Sequence, residues 1–379
     1  MREICNRIDY LAEAIGLLTH LASGESYMDL KKSLGTKRNI SFESKKHVFE
    51  VLTQIEKAAQ KNFSYQNEEI LYYFGVEEKA TRSCGETLIL WDGLGNEPYL
   101  SVEEVEQYLE TVEETEYAIK FGDCLQEYTN TLEDENSFEK LDEPIKIITY
   151  LMNMEISQDE KWKLQVLYLN RKEHFPRIIS LINQAIEFLK KYEDELQKLV
   201  LEFCGYWEKI LKEQTLTQYM QKRIIYNMPP NTYGYRVRPS IMLPNVLGLH
   251  IDMDEDGNYK KQNEDWIGIL FGDELDVFGG EKENLPDTQQ MVRTMKLLSD
   301  KSKFEILRRI SEKPAYGNQL AKEMKLTAAT ISHHMNALIA EGLVTIQMEE
   351  KKVYYQPDKE NIRRILDRCK EVLGVAEGV

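Results

Sequence analysis

Cysteine is scarce in this chain, and its placement excludes two kinds of site. The five cysteines, Cys5, Cys84, Cys124, Cys204 and Cys369, lie far apart, and no two of them form a Cys-x-x-Cys pair. An odd number of scattered thiols makes neither a disulfide framework nor a thiolate zinc site. We therefore expect free, mostly buried thiols in a reducing cytoplasm, and no bound metal.

Long apolar runs are missing as well. No uncharged apolar stretch reaches the ~18 residues that are needed to span a bilayer. The first residues, MREICNRIDYL, carry charges where a signal peptide has its apolar run. These absences predict a cytoplasmic protein with no membrane partner.

Catalytic motifs are absent from residues 1–285. They contain no GxSxG, HExxH or Walker loop, and their few histidines stand in unrelated contexts. The pair Gly93 and Gly95 lacks the third glycine of a nucleotide-binding loop, so it predicts a turn. We expect no enzymatic activity and no cofactor, although a catalytic pair of carboxylates would leave no such motif.

Acidic charge is unevenly distributed along the chain. Its 379 residues, enough for two or three domains, include 48 Lys and Arg and 65 Asp and Glu, a net charge of −17. Residues 288–372 hold 16 basic and 11 acidic residues, a net of +5, which leaves −22 for the remainder. Such asymmetry points to a portion that binds nucleic acid. A soluble acidic domain with a nearly neutral tail is the alternative.

The N-terminal part, residues 1–226, reads as a large helical domain. Apolar residues recur there every three or four positions. This pattern predicts helices over residues 1–22, 43–60, 66–75, 136–153 and 157–170. Ser101 and Glu104 form a capping box that starts a further, acidic helix, expected to reach about residue 130.

The most regular helix is predicted from Pro176 to about Leu211. Proline suits the first turn of a helix, where its missing N–H is not needed. Two apolar series with a period of seven follow, one beginning at Ile178 and one at Ile182, as in a coiled coil. This helix is either a dimer seam or the central helix of the domain's own core.

A small β-rich subdomain, packed on the helical domain, is predicted over residues 227–284. Val, Ile, Leu, Phe and Trp are frequent in residues 235–250 and 265–279, which predicts a sheet. The acidic stretch 252–257 imitates the start of a calcium loop, but the twelfth position is Asn263 instead of Glu. An acidic hairpin turn is the better interpretation.

An aromatic and basic cluster stands just before this sheet, formed by Tyr233, Tyr235, Arg236 and Arg238. Aromatic faces and guanidinium groups together can hold an anionic or aromatic ligand. The cluster is therefore the candidate site for a small-molecule effector. Alternatively, the same side chains bridge the sheet to the helical domain.

A third domain, residues 285–379, follows a polar segment that contains two glycines and ends in Pro286. Helices are predicted over residues 288–299 and 302–310, the second capped by Asp300. Two short helices come next, and then two alternating strands and a last helix. Their predicted bounds are 318–324, 327–340, 343–348, 353–356 and, for the last helix, from Pro357-Asp358 onward.

The second short helix, capped by Thr327, has an unusual outer face. Its inner stripe is apolar and comprises Ile331, Met335, Leu338 and Ile339. Its outer face carries only short or polar side chains, Ala329, Ser332, His333 and Asn336. A helix that presses against base edges needs such groups and no carboxylate. The two helices therefore predict a helix-turn-helix, with a plain helical hairpin as the alternative.

A family resemblance is carried by three sequence segments of this domain, LSDKSKFEILRRI, LTAATISHHMNALIAEGLV and KKVYYQPD. Together with the order of elements over about residues 288–373, they resemble the ArsR-type winged helix-turn-helix of bacterial repressors. The positions that match the family pattern are Ser332, His334, Met335, Leu338, Gly342, Leu343, Val344, Tyr354 and Tyr355.

The resemblance implies a homodimer that pairs through the first and last helices of the domain and binds double-stranded DNA. It implies DNA contacts from Thr327, Ala329, Thr330, Ser332, His333 and Asn336, and from Lys351, Lys352 and Tyr354 of the wing. His334 is either a further DNA contact or a histidine that packs between helices. The cysteine and histidine ligands of metal-sensing members are missing here, so we expect no metal.

The expected fold is mostly α with small β: a large helical N-terminal domain with a small sheet, followed by a C-terminal winged helix-turn-helix. The expected function is sequence-specific, DNA-binding transcription regulation, with repression implied by the resemblance. The N-terminal domain would then sense an effector or mediate oligomerisation. The alternative is an enzyme or a protein-interaction scaffold that uses the winged helix for targeting.

Overall fold

The structure is a computed structural model. It describes residues 2–38, 45–91, 99–126, 128, 141–213, 216, 226–227, 234–245, 247–250, 262–268, 288–349 and 352–374. Helices dominate, and two separate hydrophobic cores lie on either side of residue 288. The fold class expected from the sequence is thereby confirmed.

Helices form most of the described chain before residue 214. Their bounds are α1 Tyr10–Ser23, α2 Tyr27–Arg38, α3 Lys46–Asn62, α4 Asn67–Phe74, α5 Cys84–Leu88, α6 Val102–Thr111, α7 Glu114–Gln126, α8 Pro144–Asn153, α9 Gln158–Leu169, α10 Arg171–Leu189 and α11 Glu193–Glu213. The capping box of Ser101 and Glu104 is present at α6. The prediction of one helix from this capping box to about residue 130 is wrong. Val112 is extended and ends α6, and the acidic Glu114 and Glu116 lie in the first turn of a separate helix, α7.

The long helix predicted from Pro176 differs in two respects. It begins five residues earlier, at Arg171, so Pro176 lies inside α10, where its missing N–H removes one backbone hydrogen bond of the helix. A 3-10 turn, Lys190–Tyr192, then separates α10 from α11. Both apolar series pack in the chain's own core, with Ile178 and Ile182 buried and Tyr192, Tyr206 and Ile210 partly buried. This agrees with the second of the two interpretations.

The first sheet combines the N-terminus with the predicted β-rich region. Its strands lie in the order β1 Arg2–Ile4, β3 Gly234–Ser240, β5 Gln262–Gly268 and β4 Leu247–His250. Strands β1 and β5 run parallel to β3, and β4 runs antiparallel to β5. The helix predicted over residues 1–22 is therefore wrong at its start, since β1 precedes it and three residues carry too short a pattern to be recognised.

Acidic side chains of α1 attach the helices to this sheet. Asp9 caps α1 and accepts a hydrogen bond from Arg238 Nη2 at 2.6 Å. The carboxyl oxygens of Glu13, which is buried, accept hydrogen bonds from the backbone N–H groups of Ile241 and Met242 at 2.7–3.0 Å. The loop after β3 is therefore fixed to the first two turns of α1.

The C-terminal module has the predicted elements in the predicted order, with one further short strand, β6 Ala315–Tyr316, that was not predicted. They are α12 Thr288–Ser299, α13 Lys301–Glu312, β6 Ala315–Tyr316, α14 Gly317–Met324, α15 Ala328–Ala340, β7 Val344–Glu349, β8 Lys352–Pro357 and α16 Lys359–Val372. The second sheet has the order β2-β7-β8-β6, in which β2 is Tyr226–Asn227 and runs parallel to β7. The domain boundary predicted at 226/227 falls inside β2, and the one at 284/285 lies outside the described residues.

The five cysteines are buried and form no disulfide bond with one another. Among the helices that the structure describes, none is both long and apolar enough to cross a bilayer. The calcium-like stretch 252–257 and the paired glycines Gly93 and Gly95 lie outside the described residues.

Candidate nucleic-acid interface

A tight turn joins the two helices of the predicted helix-turn-helix. Helix α14 ends where Lys325 takes up a left-handed conformation with φ of 55°, which reverses the chain direction. The backbone N–H of Leu326 then donates to the carbonyl oxygen of Ala321 at 3.0 Å. The turn therefore has a fixed geometry, which sets the angle at which α15 leaves α14.

The start of α15 is held by two threonines. The hydroxyl oxygen of Thr327 accepts from the backbone N–H of Thr330 at 3.1 Å, as an N-cap should. The hydroxyl groups of Thr327 and Thr330 are also hydrogen-bonded to each other at 2.8 Å. Thr327 and Thr330, which are both predicted to contact DNA, thus lie at the N-terminal end of α15, where the helix dipole favours a phosphate.

The two faces of α15 differ as the sequence predicts. Ile331, Met335 and Leu338 are buried in the core of the module. His333 and Asn336 are exposed, as is the cap Thr327, whereas Thr330 and Ser332 are half-buried. Ala329 is helical, but its side chain is not among those that the structure describes. The described part of the outer face carries no carboxylate.

The end of α15 is fixed by the first and last helices of the module. Arg293 Nε of α12 donates to Glu341 Oε2 at 3.0 Å. Gly342 follows with φ of 71°, a conformation that favours glycine. The side-chain amide of Asn361 in α16 donates to the Gly342 carbonyl oxygen at 2.8 Å. The exposed face of α15 is therefore oriented by contacts at both of its ends.

His334 is placed differently from His333. It is half-buried, and its Nδ1 is a buried atom without a hydrogen-bond partner in the described structure. Burial lowers the pKa of His334, and the positive charge of Lys303 in α13 lowers it further while Asp300 opposes the change. This position agrees with the alternative of a histidine that packs between helices, and the predicted DNA contact stays a prediction.

The root of the wing contains an aromatic pair. Strand β6 pairs with β8, and the ring of Tyr354 meets that of Tyr316 edge-on, with centroids 5.9 Å apart. Tyr355 points the other way and is buried. Tyr316 was not among the residues predicted to contact DNA. Its position directly before α14 is the sequence feature that could have drawn attention to it. Lys351 and the side chain of Lys352 lie outside the described structure.

An apolar surface covers the outside of α12 and α16. Val292 is 47% exposed on α12, and Leu373, directly after α16, is 75% exposed. Met295, Leu366 and Val372 add to the same two helices. The predicted apolar stripe of the last helix is therefore divided, because Ile365 and Cys369 enter the core while these residues face outward.

Of the four side chains in the predicted effector cluster, the structure describes only Arg236 and Arg238. Arg238 is buried and forms an ion pair with Asp9, so it bridges the sheet to α1, as in the alternative interpretation. Arg236 is half-buried. Tyr235 pairs through its backbone with Arg2, and its side chain is not described, while Tyr233 lies outside the described residues. Ligand binding by this cluster stays a prediction.

The C-terminal module is that of a DNA-binding regulatory protein. Residues 300–345, from the cap of α13 into β7, match the family model described as "Bacterial regulatory protein, arsR family". The module is therefore an ArsR-type winged helix-turn-helix. Residues 1–299 and 346–379 lie outside this match.

Solved structures of winged-helix regulators are similar to about a quarter of the chain. An ArsR-like transcriptional regulator from Rhodococcus is 24% identical, over 23% of this chain and 80% of that one, with a TM-score of 0.22. HlyU from Vibrio cholerae is 18% identical, over 24% and 96%, with a TM-score of 0.20. The homodimeric winged helix-turn-helix domain of Mb0332 from Mycobacterium bovis is 21% identical, over 26% and 93%, with a TM-score of 0.21. No curated protein sequence matches the chain.

Proposed function

We propose that this protein is a sequence-specific DNA-binding transcriptional repressor. The observation that supports the proposal is the exposed face of α15, which presents His333 and Asn336 to solvent and has no described carboxylate. In this proposal α15 enters the major groove, where short polar side chains read the edges of bases. Activity consists of binding alone, without catalysis or a cofactor.

The proposed repressor is a homodimer that pairs through α12 and α16. Apolar side chains such as Val292 and Leu373 remain exposed there, and exposed apolar patches mark interaction sites. The same two helices hold the end of α15 through Arg293 and Asn361. Pairing would therefore set the distance between the two recognition helices, which a two-fold operator requires to be about one turn of DNA.

The proposed role of residues 1–284 is to sense an effector and to bias the geometry of the dimer that binds DNA. A large acidic portion with its own core is not needed for DNA recognition, and its charge repels phosphate. An effector that binds one geometry of the dimer better than another would shift the population between them.

The test is binding of the full-length chain to duplexes selected from random sequences, compared with scrambled duplexes. Replacing His333 and Asn336 by alanine should reduce the preference for selected DNA about tenfold or more, because base contacts are each worth ~1–3 kcal/mol. Replacing Lys351 and Lys352 should weaken binding to both kinds of duplex alike and reduce its salt dependence.

The matched control is Lys198→Ala, which removes an exposed lysine of α11 and should change neither quantity. Failure to select any sequence at low salt would overturn the proposal. An equal loss of preference from the two double variants would contradict the roles given to the helix and the wing.

A further inference from the structure

Four large apolar side chains are exposed on the outer sides of helices α8 and α9. Each of them is at least 60% exposed, and together they are Ile145, Met152, Trp162 and Leu169. The buried residues of the two helices lie on other sides, for example Ile147 in α8 and Leu164 in α9. The four exposed side chains, which we call the α8–α9 face, are therefore not part of the core that the two helices help to form.

The spacing on each helix is that of a surface that packs against further helices. The two exposed apolar residues of α8 are seven positions apart, and so are the two of α9. A half-buried apolar residue lies between the members of each pair, Ile148 in α8 and Val166 in α9. Apolar residues repeated in this way form the contacts between neighbouring helices in coiled coils and helix bundles. The pattern therefore fits a contact with other helices.

Helices α8 and α9 are neighbours, so their exposed residues share one region of the surface. The helices pack against each other. The ammonium group of Lys161, the residue before Trp162, donates to the carbonyl oxygen of Met152 at 2.8 Å, which brings the end of α8 to the start of α9. Among the helices that the structure describes, the main contacts of α8 are with α7 and α9. Helix α8 therefore lies at the edge of the helical domain.

The charges of these two helices are balanced. The single charged residue of α8 is Lys146, which forms an ion pair with Asp142 at 2.7 Å. Helix α9 has two acidic and two basic residues, all in its first half, and residues 164–169 are uncharged. The whole chain, in contrast, has a net charge of −17. Charge therefore selects neither a basic nor an acidic partner here, and two copies of this acidic chain repel each other least through such a surface.

The area of the α8–α9 face is sufficient for a symmetric pair. A fully enclosed aromatic side chain buries about 200 Å², so four large side chains with these exposed fractions leave on the order of 500 Å² of apolar surface on each copy. Apolar patches of that size are commonly functional on monomers. Two copies in contact would together bury about 1,000 Å², which is the size at which specific interfaces begin.

We infer that two copies of this chain pair through their α8–α9 faces, so that four helices enclose the exposed apolar side chains. The contact is isologous, as in most homodimers. It includes no residue of the C-terminal module and therefore stands independently of the repressor proposal. Together with the proposed pairing of α12 and α16 it gives the dimer two contacts, and loss of either one leaves a weaker dimer.

Sedimentation equilibrium of the full-length chain with Val292→Glu and Leu373→Glu tests this contact, because these changes remove the other proposed one. We expect this double variant to form a dimer still, in a concentration-dependent way. Adding Met152→Glu or Trp162→Glu should weaken its association about tenfold or more, since the contact would have to bury the new carboxylate. Leu201→Glu, at an exposed apolar site of α11, is the matched control and should leave association within about twofold.

The indole of Trp162 gives a second measurement, which does not require a new charge on the α8–α9 face. In the Val292→Glu, Leu373→Glu chain, acrylamide should quench tryptophan fluorescence less as the protein concentration rises, because pairing covers Trp162. Trp162→Phe keeps an aromatic ring on the α8–α9 face and should abolish this change.

Three results would overturn the inference. The first is equal weakening of association by Met152→Glu and Leu201→Glu, and the second is a change in quenching that persists in Trp162→Phe. The third is a double variant that stays monomeric at every concentration with Trp162 accessible throughout, which would leave the α8–α9 face to a different protein. DNA binding is measured separately, so none of these results decides the repressor proposal.

Discussion

The buried carboxyl group of Glu13 makes the stability of the N-terminal portion depend on pH. Burial raises the pKa of Glu13 from 4.5 to about 8, against the lowering effect of hydrogen bonds from Met242 and Ile241. In the unfolded chain the group ionises near its ordinary pKa, so the folded state holds a proton that the unfolded state has released. The protonated form thus stabilises the fold at low pH, and this contribution is lost as pH rises through about 8.

The size of the effect follows from linkage. Between the two pKa values the unfolding free energy should fall by ~1.4 kcal/mol per pH unit. From pH 6.5 to pH 8 this amounts to a loss of about 2 kcal/mol from Glu13 alone. His20 acts in another range, because burial lowers its pKa and its contribution is lost as pH falls, not as pH rises.

Urea unfolding of the full-length chain, followed by tryptophan fluorescence between pH 6.5 and 9, measures this slope. Trp207 is a suitable reporter because it is fully buried in the same core. Glu13→Gln cannot ionise, so we expect it to remove the contribution of Glu13 to the pH dependence of the unfolding free energy. The variant also loses a pH-independent amount of stability, because an amide NH2 group replaces one accepting oxygen. Glu103→Gln, at an exposed site in α6, is the control. A constant difference between wild type and Glu13→Gln at every pH would refute the reasoning, since Glu13 would then be ionised throughout.

Two further predictions concern the C-terminal module. Val292→Glu and Leu373→Glu should each weaken dimerisation about tenfold or more in sedimentation experiments, because an interface would have to bury the new charge. Phe304→Glu, on α13 and 54% exposed, is the matched control, and equal weakening by all three changes would contradict pairing through α12 and α16. Thr327→Ala should cost the module ~1 kcal/mol of unfolding free energy and weaken binding to all DNA sequences, whereas Thr111→Ala at an exposed site should not; an unchanged unfolding free energy would contradict the capping role of Thr327.

The winged helix could be predicted because its signals are local. Thr327 caps the backbone N–H three residues away, and the buried stripe of α15 repeats every three or four residues. Gly342, in the turn between α15 and β7, takes a left-handed conformation that favours glycine. Each of these signals lies within a few residues of the element that it defines, so a single sequence is enough to recognise it.

The features of the N-terminal portion depend on residues far apart, which is why the sequence did not predict them. Glu13 is 228 residues from Ile241, and Tyr73, whose hydroxyl is hydrogen-bonded to His174, is 101 residues away from it. No periodicity marks such pairs before the chain has folded. For Arg238 the sequence predicted a bridge to the helical domain only as one of two interpretations, because composition alone does not show that Asp9 is its partner.

The recognition helix and the N-terminal portion therefore differ in how their geometry is determined, and this bears on regulation. The outer face of α15 is fixed by its own cap and by α12 and α16, so the proposed effector, bound far away, would not easily change the side chains that this face presents. The position of the module is a different matter. Strand β2 pairs with β7 at Tyr226 and Ile346, and β7 follows α15 after only a short turn. In the proposed regulator, contacts of this kind, rather than the outer face of α15, are where the acidic portion would act on the C-terminal module.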